Sequence, residues 1–414
     1  MSETVKSQPT ANESEAQQAR AERRAALINE SVVTLAAFVL AFLIGAVLMI
    51  VSDPNVISKF SYFFTRPGDA LSASWLKVSH AYAALFTGSL GSFSAITETT
   101  AQAAPLICAG LGLAVGFRAG LFNIGAQGQA ILGSIIAAYI GFSFHLPMAI
   151  HLPFAIIAGM LFGALWAGLA GVLRAKFGAH EVIVTIMLNY VATGLLSWLL
   201  TTPAFLRPGR TDPISPLVDW TVTLPRLEGN RLHFGFVLAL LAAVAVWWLL
   251  DHTRLGFEIK AVGINPKASA TAGMSVSKAL IMAMVISGLL TGLAGVQAAL
   301  APDVNGTPTP LTVGLVGSIG FDAITVALLG RSKPLGTVLA GILFGGLHAG
   351  SLAMQAMAST PYELANVLQA LIVMFVAAPM LVRTLMPFLK RRARPQSATA
   401  AAVPAAATVG GLTA

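Results

Sequence analysis

Asp251-His-Thr-Arg-Leu-Gly256-Phe-Glu-Ile-Lys-Ala-Val-Gly263-Ile-Asn265-Pro266-Lys-Ala268-Ser-Ala-Thr-Ala272-Gly273 separates two apolar runs and does not read as a plain connector. It is basic, which places it on the cytoplasmic side of a membrane protein. Asn265 can N-cap a helix, Pro266 fits the first helical position, Lys267 to Ala272 can continue it, and Gly273 can end it. A capped helix in such a loop suits docking to another subunit. On both sides of it, between Val182 and Met386, apolar runs alternate with short polar loops.

Composition agrees. Of 414 residues, 56% are hydrophobic and 10% charged, with a mean hydropathy of +0.79. A soluble domain carries about 25% charge, so much of this chain lies in lipid. The formal net charge is +8 and the pI about 9.9. The basic residues cluster in loops and tails, a pattern that orients a membrane protein and does not call for nucleic acid. The single cysteine, Cys108, excludes an internal disulfide and a cysteine-based metal cluster.

About 20 apolar residues per crossing gives about ten spans, near 31–51, 98–116, 122–142, 148–173, 182–202, 234–250, 278–299, 314–330, 335–350 and 364–386. Some thirty mostly polar residues precede the first, so the N-terminus is not a secretory signal. With Arg20, Arg23 and Arg24 inside, the loops holding Arg118, then Arg174 and Lys176, then Arg254, Lys260 and Lys267, then Arg331 and Lys333 are cytoplasmic. So is Lys390-Arg-Arg-Ala-Arg394, which puts both termini inside. The expected division is a cytoplasmic tail over 1–30, a transmembrane domain over 31–390 and a disordered cytoplasmic tail over 391–414. One loop resists. Pro203 to Phe234 is external in this scheme yet holds Arg207, Arg210, Arg226 and Arg231, with Asp212, Asp219 and Glu228 nearby. The external stretch Asp53 to Ser94 suggests one or two interfacial amphipathic helices broken at Pro67-Gly68.

Small residues recur at helical spacing: Gly112/Gly116, Gly159/Gly163, Gly288/Gly292, Gly341/Gly345 and Gly346/Gly350. They read as helix packing in lipid. Gly120-Leu-Phe-Asn123-Ile-Gly125-Ala-Gln127-Gly128-Gln129 is more unusual. Glycines and two glutamines at membrane depth suit a broken helix lining a cavity, or else Asn123 is an N-cap and the glutamines tie helices together. Asn189, inside a span, is an interhelical hydrogen-bonding residue or faces a pathway. Asp322 caps a short helix at a broken span or faces the pathway. Glu98 reads as a capping or interfacial residue, His348 as a weak candidate proton carrier, and Asn305-Gly-Thr307 as a turn. There is no phosphate-binding Gly-x-x-x-x-Gly-Lys-Ser/Thr, no His-Glu-x-x-His and no Gly-x-Ser-x-Gly, and intramembrane ionisable residues are sparse.

Gly120 to Gly133, Thr185-Ile-Met-Leu-Asn-Tyr190, Thr253 to Gly273, Gly320-Phe-Asp-Ala-Ile-Thr-Val-Ala-Leu-Leu-Gly330, Arg331 through Gly350, and the external Arg66-Pro-Gly-Asp-Ala-Leu-Ser72 together resemble the import permeases of ABC transporters in the branched-chain amino acid, sugar and nucleoside group. These motifs spread over most of residues 30–390. The Thr-Ile-Met-Leu-Asn-Tyr and Gly-Leu-Phe-Asn-Ile-Gly versions look most like nucleoside importer permeases. Gln127 departs from the pattern, standing where many relatives have Glu. The resemblance implies an all-α polytopic protein of the type II importer fold in a bacterial inner membrane. It implies a second permease subunit that is a paralogue, cytoplasmic ATPase subunits and an extracytoplasmic substrate-binding protein. No cofactor is expected, and the chain itself is not an enzyme. The loop 251–277 then carries the coupling helix, with Gly256, Gly263, Asn265, Pro266, Ala268 and Gly273. Asn123, Gln127, Gln129, Asn189 and Asp322 are the expected substrate-pathway residues. The alternatives are a permease for ribose or another simple sugar, and an ion-driven secondary transporter.

Overall fold

A computed structural model of the chain describes residues 11–227 and 229–386. The expectations placed on residues 1–10, on Glu228 and on the Lys390–Arg394 cluster and C-terminal tail lie outside the described residues. Two compact units divide the chain: Met1–Ala36 with Ala378–Ala414, and Ala37–Ala377. The helix α1 (Ala11–Ser52) begins in the first unit, which also contains α15 (Pro379–Leu385).

The rest is α2 (Pro54–Phe60), α3 (Pro67–Leu90), α4 (Phe93–Arg118), α5 (Ala126–Ser143), α6 (Met148–Phe177), α7 (Glu181–Leu199), α8 (Phe234–His252), α9 (Arg254–Ile264), α10 (Pro266–Thr271), α11 (Val276–Leu300), α12 (Ile319–Leu329), α13 (Pro334–Ala358) and α14 (Tyr362–Ala377). Only isolated bridges, Leu217 with Pro310 and Arg226 with His233, interrupt this all-helical architecture among the described residues.

Seven helices are long and apolar enough to cross a membrane: the Val32–Ser52 part of α1, and α4, α6, α7, α8, α11 and α13. They fall on seven of the ten expected spans. The other three differ. The run 122–142 becomes helical only at Ala126, and its first turn carries Gln127 and Gln129. The run 314–330 holds a helix of 11 residues, which rises only about 16 Å. The run 364–386 is cut where α14 ends at Ala377 and Pro379 opens α15, since proline cannot donate to the preceding turn.

α11 is central and lies against α4, α5 and α6. Small residues let the backbones meet. A Cβ on Gly163 would lie 2.5 Å from the Gly288 carbonyl oxygen, and one on Gly295 would lie 1.8 Å from that of Ala130. α13 packs along α4 in the same way, with Gly341 against Ile107 and Gly345 against Ala103. The glycine pairs therefore serve packing, which in lipid depends on close contact because the solvent is as apolar as the side chains.

The segment 53–94 forms α2 and α3, and Pro67 does open the second helix. α3 packs along α13, and Lys77 reaches the carbonyls of Ala358 and Ser359 as well as Asp53 at 2.9 Å. The arginine-rich loop 203–233 folds over the C-terminal ends of α5 and α11: Asp219 N donates to Gly141 O and Leu224 N to Leu300 O. Three of its arginines are held by oxygens. Arg210 pairs with Asp212, Arg231 with Glu98, and Arg226 donates to the Val304 and Asn305 carbonyls. Positive charge engaged in this way is compatible with an external loop.

Candidate functional site

The stretch between α4 and α5 is a break in the helical ladder at buried depth. Residues 119–125 are non-helical, with Gly120 at φ +74°, a left-handed turn that glycine adopts at no steric cost. Helix breaks leave N–H groups without helical partners, and in lipid each must be met by protein. Here side chains meet them. Asn123 Oδ1 accepts from Gly125 N at 2.9 Å, and Asn189 Oδ1, from α7, accepts from Gly128 N at 2.8 Å. Asn189 Nδ2 donates to the Ile124 carbonyl at 2.8 Å.

Asn123 and Gln129 exchange hydrogen bonds through both amides, at 3.2 and 3.1 Å. Asn123 Nδ2 also donates to Ser287 Oγ, and Thr291 Oγ1 donates to Gln129 Oε1 at 2.6 Å. Asn123, Gln129, Ser287 and Thr291 are all buried. These amides tie α7 to α5, and α5 with the stretch before it to α11. Replacing Asn189 with Leu strands Gly128 N and Ile124 O, at about 1–3 kcal/mol for each buried group left unpaired. The expected outcome is a large loss of detergent-stable protein with Asn189→Leu and a smaller one with Asn189→Asp, which keeps the acceptor for Gly128. Size-exclusion yield measures it, and equal yields would remove this account.

Gln127 points the other way, to the short helix. Its Nε2 donates to Gly317 O at 2.7 Å and its Oε1 accepts from Gly320 N at 2.9 Å. The N-termini of α5 and α12 thus meet, and one amide serves both sides of the junction. Gly320 is required by the approach, since a Cβ there would lie 2.2 Å from Gln127 N. Asp322, in the first turn of α12, accepts from Ser318 Oγ through Oδ2 at 2.6 Å and from Gln369 Nε2 through Oδ1 at 3.1 Å, with His348 Nε2 at 3.6 Å from the same Oδ2. Asp322 and His348 line a cavity of about 210 Å³ bounded by α4 and the 315–319 segment.

A neighbouring cavity of about 340 Å³ opens between α4, α11, the residues before α8 and the 301–319 segment. Glu98, which holds two of its lining residues, caps nothing, because the N-cap of α4 is Ser92. Its carboxylate instead pairs with Arg231 at 3.3 Å and accepts from Gln102 at 2.9 Å. Asp303, in the Asn305-Gly306 turn, is held below the usual carboxylate range by N–H groups, that of Thr307 foremost. His233 N-caps α8 through Nδ1, which accepts from Gly235 N, so the proton belongs on Nε2. Burial, then the Arg231 charge, pushes its pKa down to about 4 from 6.5. The unfolded chain therefore binds a proton near pH 6.5 that the folded chain refuses, and stability falls as pH drops through 6.5 toward 4. His233→Asn keeps a capping acceptor and is expected to flatten this acid-side loss in detergent melts at about pH 7 and about pH 4.5. An unchanged difference between the two melts would refute the assignment.

On the opposite side, α8 turns sharply into α9 and α10. Thr253 Oγ1 accepts from Gly256 N, and a Cβ on Gly256 would lie 2.0 Å from Leu249 O. Asn265 Oδ1 accepts from Ala268 N at 3.1 Å, Pro266 opens α10, and Gly273 follows at φ +84°. Ala268 and Ala270 are exposed, and Ile264 beside them is 86% exposed. α9 is wedged under the break itself. Gly263 abuts the Arg118 carbonyl, where a Cβ would be 2.0 Å away, and its own carbonyl lies 3.3 Å from a Cβ placed on Gly120. Arg118 Nε in turn donates to Ser332 O, in the turn between α12 and α13.

The break held by amides and the capped helix set beneath it lie within the part of the chain that matches a known family. The family described as the branched-chain amino acid transport system permease component matches residues 95–377. The chain belongs to this family. It is 37% identical over 370 residues to the guanosine ABC transporter permease protein NupP of Bacillus subtilis (strain 168), which covers 88% of this chain and 98% of that protein. The glucose ABC transporter permease protein TsgB13 of Haloferax volcanii is 33% identical over 320 residues, 75% of this chain and 83% of that one. A second guanosine ABC transporter permease protein of Bacillus subtilis, NupQ, is 27% identical over 258 residues, 60% of this chain and 79% of that one. No solved structure matches at a significant level. The chain is thus a multi-pass membrane permease, the transport component of an ABC transporter. An ion-driven secondary transporter is set aside by this membership.

Sequence reasoning found the amides by their polarity inside apolar runs. It missed Ser287 and Thr291, which are ordinary in a helix, and Gln297, which obeys the same rule that singled out Asn189. Gln102 and Arg231 carried no local signal.

Proposed function

We propose that this permease serves an importer of purine and pyrimidine nucleosides, with simple sugars such as ribose as the second reading. The observation that carries it is the identity with the guanosine permease, which spans nearly all of that protein. The cavities fit in character, since their charges are paired or held by hydrogen-bond donors of the chain. A zwitterion or phosphate would need fixed countercharges there. The glucose permease relative keeps the sugar reading open.

In this reading the permease body runs over 31–390 with both termini cytoplasmic. A binding protein delivers solute from outside, and the partner permease is a paralogue, as the two guanosine permeases of one bacterium suggest. ATP is hydrolysed by separate cytoplasmic subunits that dock on α10. Their closure pushes α9 against Arg118 and Gly120, and so against the break between α4 and α5. Asn123, Gln129 and Asn189 hold that break, while Gln127 and Asp322 stand at the junction with α12, beside the path of the solute. Gly263→Ala is expected to uncouple this contact, with ATPase still co-purifying but uptake falling, because the added methyl meets backbone. Normal uptake with this variant would discount the contact.

The substrate test is uptake of labelled guanosine, adenosine, uridine and ribose in cells with and without the gene. Loss of the three nucleosides on deletion is the expected result. Loss of branched-chain amino acid uptake with all four intact would reject the nucleoside reading.

A further inference from the structure

We propose that the mid-membrane face of α7 centred on Tyr190 walls the solute path opposite the partner permease, and that a nucleobase in transit stacks on the Tyr190 ring. This rests on the reading of the chain as a nucleoside permease and names the side chain that meets the base. The first observation is where Tyr190 stands. It is the tenth of the 19 residues of α7, so about 13 Å of helix separates it from either end. It is 72% exposed, and its hydroxyl has no hydrogen-bond partner among the described residues. Tyrosine belongs at the two membrane surfaces, where its hydroxyl reaches water. At the midplane, a hydroxyl turned to lipid has nothing to bond.

The second observation is its company. Thr193, Gly194 and Ser197 follow Tyr190 at helical spacing, so the four share one stripe. The Thr193 and Ser197 hydroxyls donate to the Asn189 and Thr193 carbonyls, which leaves their oxygens able to accept. A Cβ on Gly194 would meet nothing within 4 Å. No charge stands on the stripe, since the one acidic or basic residue of α7, Glu181, lies at its start and pairs with Arg174. Beside the stripe, Met187 and Val191 are exposed and apolar, as a lipid face should be. The comparably exposed α8 has no hydroxyl, amide or charged side chain between Phe234 and Leu250. The Tyr190 stripe is thus a second face of α7, distinct from the one that suits lipid.

The third observation is the backbone at the same depth. Asn189, next to Tyr190, accepts from Gly128 N, and Gln127 beside Gly128 donates to Gly317 O. Gly317 therefore stands level with the stripe. It belongs to the irregular stretch 313–318, where Val313, Gly314, Gly317 and Ser318 are exposed. A Cβ on either glycine would meet nothing within 4 Å. Exposed irregular backbone at membrane depth is tolerated only against protein or water. An aqueous path closed by the partner permease satisfies this stretch and the stripe together. A nucleoside suits it: the flat base covers the tyrosine ring, because any base offers a π-face to an aromatic side chain. Its hydroxyl and amino donors suit the Thr193 and Ser197 oxygens, and the tyrosine hydroxyl stays in water.

Cys108 is the chain's one cysteine and is fully buried, so Gly194→Cys carries a single accessible thiol one turn from Tyr190. In the complete importer in membrane vesicles, a positively charged methanethiosulfonate is expected to label it roughly 100-fold faster than Val244→Cys, on the exposed face of α8, because a charge is that costly in hydrocarbon. Equal rates would overturn the proposal. Uptake at low solute is then measured in cells carrying the complete importer. Tyr190→Leu is expected to cut guanosine uptake about 10-fold at unchanged membrane level, while Tyr190→Phe stays within about 2-fold of wild type. Uridine, whose single ring covers less of the tyrosine, should fall less than guanosine with Tyr190→Leu. Unchanged guanosine uptake with Tyr190→Leu overturns the stacking and leaves the nucleoside reading standing. Loss with both variants, or an equal fall for guanosine and uridine, marks a packing contact with the partner permease and also overturns it. Wild-type cells that import ribose and no guanosine would reject the nucleoside reading, and the stacking with it.

Discussion

A permease carrying Ala268→Glu and Ala270→Glu together is expected to reach the membrane at the wild-type level and import nothing measurable. Both side chains are exposed on α10, so neither change disturbs packing within the chain. The fold tolerates a carboxylate at 268 for a second reason. It would stand three residues after the Asn265 cap, in the first turn, where negative charge suits the helix dipole. What the pair changes is the surface that includes the 86%-exposed Ile264. A small apolar face becomes bulky and charged, and burying unpaired charge at an interface costs several kcal/mol, about 2–5 and sometimes more. Uptake and co-purification of the ATPase are the measurements. Normal uptake would mean that force reaches this chain elsewhere.

The second large effect is structural. Gly295→Ala is expected to abolish recovery of folded permease from membranes. Its methyl would overlap the Ala130 carbonyl, with oxygen at 1.8 Å and carbon at 2.6 Å. These are backbone atoms of a neighbouring helix, so no rotamer change relieves the clash. α5 and α11 would have to separate, and the Thr291–Gln129 hydrogen bond, about one turn from Gly295, would separate with them. Gly194→Ala is the control. Its Cβ meets nothing within 4 Å, and alanine is the better helix former. Comparable yields of the two variants would show that α11 is not the fixed centre assigned to it.

What could be read in advance follows a physical line. α10 was legible because its cap chemistry is local: Asn265, Pro266 and Gly273 each act within a few residues. α9 was not, although it is longer. Gly256 and Gly263 argue against a helix by propensity, and their cause, backbone contacts with Leu249 and Arg118, is tertiary. The run 314–330 looked like a span because hydropathy does not distinguish helix from irregular chain. Its first part stays irregular, with Gly317 at φ +53°, and the helix starts only at Ile319. Polarity in apolar runs picked out Asn123, Gln129 and Asn189. The partners of Asn123 and Gln129, Ser287 and Thr291, lie some 160 residues away, at 164 and 162, a distance no local pattern spans. The same distance hid the cavities, whose walls come from α4, α11, α12, α13 and two loops.

The short α12 bears on how the chain is made. With 11 residues against the roughly 20 needed to cross the hydrocarbon, it cannot enter a bilayer as an autonomous segment. The Gly320 N–H has no place in lipid without the amide of Gln127, and that residue is synthesised about 190 residues earlier, 193 before Gly320. Biogenesis must therefore retain α4 and α5 near the insertion machinery until α12 emerges, and release the segment only into a preassembled protein surface. A ribosome-stalled chain ending between α11 and α12 would then hold an unfilled seat beside α5, and the late helices would complete the fold by docking rather than by partitioning.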